Sequence, residues 1–224
     1  MKWRTVWVAA LAGLLMVSGT GAAFATQTDT AGTADTGTAD GPVLEEVKER
    51  VLGKIADRIE RLEAIVEALE GEDGIVAEQK VALAREGIAI FEAAAAEVEA
   101  AGTVREVVEA YRGAVREFKA HQKVRHLYAH VHLDLAKFER RLDRLEQAID
   151  RAGEAGYEVS AAAAEAGSAA ADLAAAADQV AAVDPSQIGG EVMDDLKEAH
   201  RTAHAGQRHI RAGWEALFEV LPPE

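Results

Sequence analysis

Between Pro42 and Pro185 the chain contains no proline. Proline removes a backbone donor and clashes with the preceding turn, so its absence over this length permits unusually long helices. Glycine punctuates the stretch instead. From Val43 onward, Leu44, Val51, Ile55, Leu62, Ile65 and Leu69 stand three, four or seven residues apart, and Val47, Leu52, Ile59 and Val66 widen the stripe. Gly71-Glu72-Asp73-Gly74 interrupts it. A second helix is expected from about Ile75 to Ala101, with Val76, Leu83, Ile90, Ala94 and Val98 facing inward. Gly102 ends that helix, and Thr103 followed by Glu106 is a capping-box pattern opening a third.

The third helix is expected to continue to about Arg151, a span of about 75 Å at the helical rise, before Gly153 and Gly156 close it. Val159-Ser160 resembles a staple and cap for a fourth, alanine-rich helix reaching Val183. Its inner positions would be Val159, Ala163, Ala166, Ala170, Leu173, Ala177 and Val180. A fifth, from Glu191 to about Val220, would turn Val192, Leu196, Ala199, Ala203, Ile210, Trp214 and Leu217 inward, with Phe218 joining Trp214 at the end of the core. No strand alternation competes, and short loops favour antiparallel neighbours. The expected fold class is all-α: antiparallel helical bundles, five helices after a signal peptide and a disordered leader.

The third helix carries two apolar runs. Val104, Val108, Tyr111, Val115 and Phe118 follow four-three spacing, and so do Val124, Tyr128, Val131, Leu135, Phe138, Leu142, Leu145 and Ile149. The step from Phe118 to Val124 is one short of a heptad, which predicts a stripe turned by roughly 100° or more around the axis. A stripe that changes face changes partner. The expected architecture is two three-helix bundles sharing one long central helix, residues 43–122 and 123–224. A helix broken near residues 119–123 would give a compact five-helix bundle instead.

The N-terminus points outside the cytoplasm. Met1-Lys2-Trp3-Arg4 is positive, Thr5 to Val17 is largely apolar, and Ala23-Phe24-Ala25 offers a small-x-small cleavage site. The apolar run is shorter than a bilayer requires, so residues 1–25 are expected to be a signal peptide and the cleaved chain to have no membrane span. Residues 26–42, with Thr-Ala-Asp recurring, lack apolar bulk and are expected to be a disordered acidic leader. Cleavage takes two of the 24 basic residues and no acid, moving the net charge from −15 to −17. Such a charge argues against nucleic acid or an anionic lipid surface as a partner. The chain has no cysteine, which excludes disulfides, thiolate metal sites and thiol catalysis.

The seven histidines are unevenly placed. His121, His126, His130 and His132 fall where the stripe turns. His126, His130 and Asp134 are spaced i, i+4, i+8 in one row, directed away from the apolar seam that His121 and His132 flank. His200 and His204 repeat the i, i+4 spacing on the fifth helix, followed by His209. Imidazoles one turn apart converge on one face and can share an ion, so the candidate ligands are His126, His130, Asp134, His200 and His204, with Zn, Cu or Ni as the candidate metals. Neither pair is an HExxH motif, and no Glu-x-x-His pair of the di-iron kind occurs. Turns near residues 155 and 186 would set His200 level with residue 138, on the order of 12 Å along the axis from His130. The two rows are therefore expected to stay apart, with Glu70, Glu72, Asp73 and Asp184 as loop acids near His126 and His130. Solvated imidazoles, a two-ligand metal site or a pH-responsive contact each fit these spacings.

No nucleophile elbow, phosphate loop, dinucleotide fingerprint or calcium loop occurs. The function expected from sequence is an exported, non-catalytic helical scaffold or interaction protein of the cell envelope or extracellular space. It would bind an envelope protein or itself and need no cofactor. The alternative is an extracytoplasmic transition-metal-binding protein.

Overall fold

The computed structural model describes residues 41–221. The signal segment and all but Gly41 and Pro42 of the expected leader lie outside the described residues. Within them the chain is all-helical: α1 Gly41–Leu69, α2 Ile75–Ala100, α3 Val104–Glu154, α4 Ser160–Ala181 and α5 Gly190–Val220. No described helix is long and apolar enough to cross a membrane.

The boundaries follow local chemistry. Gly41 and Pro42 belong to α1 rather than to the leader, and a first-turn proline has no intrahelical hydrogen bond to lose. Gly71 and Gly74, with φ of 91° and 116°, make the α1–α2 turn in a region that a side chain disfavours. At the start of α3, Thr103 Oγ1 accepts from Glu106 N at 3.2 Å, while the Glu106 carboxylate accepts from Thr103 N at 2.9 Å and Gly102 N at 2.7 Å. These bonds hold the Glu106 carboxyl below its ordinary value, the Gly102 amide contributing most. That stabilisation is present above the ordinary carboxylate range and is lost as pH falls through the lowered folded value. Glu106→Gln is therefore expected to unfold with a shallower acid limb than wild type between pH 7 and 3, read from urea midpoints. At the start of α4 the cap is not Ser160: the Glu158 carboxylate accepts from Ser160 N at 3.0 Å.

α3 runs 51 residues through positions 119–123 without a break. α1 and α2 pack on its N-terminal half around Ile55, Phe91, Val98, Val107 and Ala114. α4 and α5 pack on its C-terminal half, in a core running from Val124 to Ala152 on α3. The α3 stripe differs from expectation. Val107 is fully buried, whereas Val104 and Val108 are only partly covered. One heptad row (Val107, Ala114, His121, Tyr128, Leu135, Leu142, Ile149) therefore runs the whole helix. Tyr111, Phe118 and Arg125 widen it on one side, and Val124, Val131, Phe138, Leu145 and Ala152 on the other. At 100° per residue the stripe centre turns by roughly 50°, about half the expected amount.

Both cores depend on close backbone approach. A Cβ on Gly87 would lie 2.5 Å from the Phe118 ring and 2.8 Å from Leu62 Cδ1. Phe118 itself packs on Phe91 with ring centroids 5.7 Å apart. Gly87→Ala is expected to lower the unfolding free energy by about 1–3 kcal/mol through overpacking, measured by urea denaturation. On α5, Gly206 and Gly213 face Leu173, Leu145 and the carbonyls of Ala169 and Ala162. The α4 face is Ala162, Ala166, Ala169, Leu173, Ala176 and Val180, so the expected Ala163, Ala170 and Ala177 positions are each displaced by one. Phe218, expected in the core, is exposed and stacks on Trp214.

Candidate metal centre

α3 and α5 run in the same direction, and their contact places the two histidine rows side by side. Asp134 Oδ2 lies 3.4 Å from His130 Nε2, 3.3 Å from His200 Nε2 and 3.5 Å from His204 Nε2. The two α5 nitrogens are 3.1 Å from each other. His130, Asp134 and His200 offer ligand atoms all within 4.8 Å of one another. His126 adjoins this group without entering it: its ring lies parallel to that of His130, tilted 8°, with centroids 6.4 Å apart.

The expected separation of the two rows is wrong. His200 lies against Asp134 and His204 packs edge-on against Phe138, so α5 is shifted by about one turn from the level expected. Equal returns at residues 155 and 186 gave that expectation. The connections are unequal, Ala155–Val159 and Ala182–Gly189, and the longer one lets α5 begin lower along α3. Side-chain reach closes the rest, since the His130 and His200 ring centroids are 5.5 Å apart. The row also does not point clear of the bundle. Asp134 is 13% exposed and faces α5, while His130 keeps 52% of its side chain in solvent.

The loop acids do not join. Glu70 pairs with Arg85 at 2.8 Å, and Asp184 accepts from Ser186 N at 2.9 Å and Ser186 Oγ at 2.7 Å. Those two bonds hold the Asp184 carboxyl below its ordinary value.

The arrangement has the dimensions of a metal site. Bonds of about 2.0–2.1 Å in a tetrahedron place ligand atoms about 3.3 Å apart. The Asp134–His200–His204 triangle has edges of 3.3, 3.5 and 3.1 Å. A second triangle, completed by His130, shares its Asp134–His200 edge. Two imidazoles and one carboxylate make a facial set, with His130 beside it as a fourth donor.

The other histidines do different work. His209 Nδ1 lies 2.7 Å from Glu165 Oε2 and its Nε2 3.8 Å from Asp172 Oδ2, so its two nitrogens address separate acids. His132 is half-buried against the Tyr128 ring, and desolvation holds its pKa below the ordinary histidine value, with Glu78 opposing. At the junction of the two cores is a group the sequence did not single out. Arg125 donates from Nε to Glu86 Oε2 at 2.8 Å, from Nη2 to Glu86 Oε1 and from Nη1 to Gln79 Oε1 at 2.6 Å. His121 Nδ1 lies 3.3 Å from Glu86 Oε2 without hydrogen-bond alignment. The available signal was positional: Arg125 follows Tyr111 and Phe118 in a row seven residues apart, where the inner face would next require a side chain.

No protein-family model, curated protein or solved structure matches this chain.

Proposed function

We propose that this chain is an extracytoplasmic helical protein that binds a divalent transition-metal ion between α3 and α5, through His130, Asp134, His200 and His204, without catalysing a reaction. The observation carrying this reading is the Asp134 carboxylate oxygen, which has three imidazole nitrogens from two helices within 3.5 Å. An all-nitrogen-and-oxygen donor set suits Zn2+, Cu2+ or Ni2+ rather than a thiophilic ion. The signal-like N-terminus supports a location outside the cytoplasm, and the acidic surface supports attraction of cations. Imidazole coordinates only when neutral, so binding releases protons and weakens on acidification. Calorimetric titration of the metal-free protein with zinc, copper and nickel tests the reading. A saturable one-to-one isotherm supports it, and heat no greater than that of a quadruple Ala variant at these four positions rejects it.

A second reading rests on the 51-residue α3 and its two separate cores. These are consistent with two three-helix bundles sharing one central helix, a scaffold whose long faces would bind an envelope protein or a second copy. Light scattering combined with affinity capture from the envelope fraction tests it; a strict monomer that captures no partner counts against it.

A further inference from the structure

We infer that the ion is exchangeable cargo and that His126 is the residue through which it enters and leaves; this rests on the metal-binding reading above. Exposure is graded across the cluster. The Asp134 side chain is 13% exposed, His200 31%, His204 39% and His130 52%, and His126 beyond them is exposed. The rings form a continuous chain. His126 and His130 centroids are 6.4 Å apart, His130 and His200 5.5 Å, and His200 and His204 4.5 Å.

Structural zinc sites close four protein ligands around the ion. Here one edge of the ligand group opens to solvent, and the histidine row continues outward one turn past it. An ion held by His126 and His130, two imidazoles at i, i+4, would pass next to His130, Asp134 and His200, and then gain His204 to complete the four-ligand set. Each set shares a ligand with the next, so no step returns the ion wholly to water. His130, His200 and His204 each place a nitrogen within 3.5 Å of Asp134 Oδ2 and His126 does not, so His126 contributes nothing to the fully seated ion. A group that stabilises only the intermediate speeds entry and exit equally and leaves the equilibrium unchanged.

The test compares wild type with His126→Ala. Calorimetry gives the zinc dissociation constant, and stopped-flow mixing gives the rate of uptake and of release to a chromophoric chelator. The expected result is a constant within about 2-fold of wild type, with uptake and release both slower by at least about 5-fold. His126→Asp, which restores a ligating group at the same place, should recover most of both rates. The inference is overturned if the rates are unaltered, or if His126→Ala weakens equilibrium binding as much as His130→Ala does. Failure of the wild type to bind zinc at all is a separate result, which overturns the metal-binding reading together with this one.

Discussion

Asp134→Ala is expected to raise the zinc dissociation constant by at least about 100-fold, equivalent to about 2.7 kcal/mol of binding free energy. Asp134 is common to both ligand triangles, whereas His130 and His204 each belong to one. Its loss also removes the only carboxylate from a set that otherwise brings imidazoles together. Without the ion, the same substitution should have little effect, because the three histidines around Asp134 are 31–52% exposed and their pairing with it is screened. The two effects separate in one experiment. Zinc at 100 times its dissociation constant should stabilise wild type by about 2.7 kcal/mol through linkage. The variant at the same zinc concentration should gain much less, from a nearly unchanged metal-free midpoint. His209→Ala is the matched control. It also removes a histidine beside carboxylates, but its two nitrogens face Glu165 and Asp172 separately and cannot bring both acids to one ion. Zinc affinity should survive that change, and a loss equal to that of Asp134→Ala would mean binding is a property of the general acidic surface.

How much of this was legible in the sequence varied with the chemistry of each helix. On α5, Leu196, Ala199, Ala203, Ile210 and Leu217 stood out because charged residues separate them, and all five are buried. Gly206 and Gly213 complete the same heptad rows but were invisible, since a residue with no side chain signals no face until its neighbour is known. On α4 the contrast vanished altogether. Where alanine follows alanine, displacing the pattern by one residue costs nothing in sequence terms, and only the close approach of α5 selects Ala162, Ala169 and Ala176. On α3, Val104 and Val108 drew the stripe aside because valine outranks alanine in hydrophobicity, although Ala114 is the buried position one heptad beyond Val107. The candidate ligands were nameable from i, i+4 spacing, though His126 stands outside the cluster that the other four form. Their convergence was not legible, because it depends on the α5 register, and that is set by eight connecting residues whose path no periodicity encodes.

The junction offers the other large effect. Glu86→Ala is expected to destabilise the protein by about 3 kcal/mol, measured by urea denaturation near neutral pH. The Arg125 side chain is 8% exposed and its guanidinium donates from two nitrogens to Glu86, so removing the carboxylate leaves a buried charge with only the Gln79 amide oxygen as a hydrogen-bond partner. The loss should exceed that of any exposed pair, such as Arg50 with Glu46, where breaking the contact costs about 0–1 kcal/mol. Arg125→Met combined with Glu86→Leu should recover most of the stability, because well-packed apolar replacements of a buried pair are often neutral. If it does, Arg125 and Glu86 are kept for something other than stability, and their position indicates what. Arg125 extends the row of Tyr111 and Phe118, which packs in the core with α1 and α2, and itself bonds to α2, while its neighbour Val124 opens the row that faces α4 and α5. A charge at this one place binds only where Glu86 and Gln79 meet it, so it sets the level of α2 along a helix whose heptad row would accept several. The apolar double variant is accordingly expected to be nearly as stable but less uniquely packed, with faster amide exchange along α2 than in wild type. Equal exchange in the two proteins would leave the pair with no role in fixing the register.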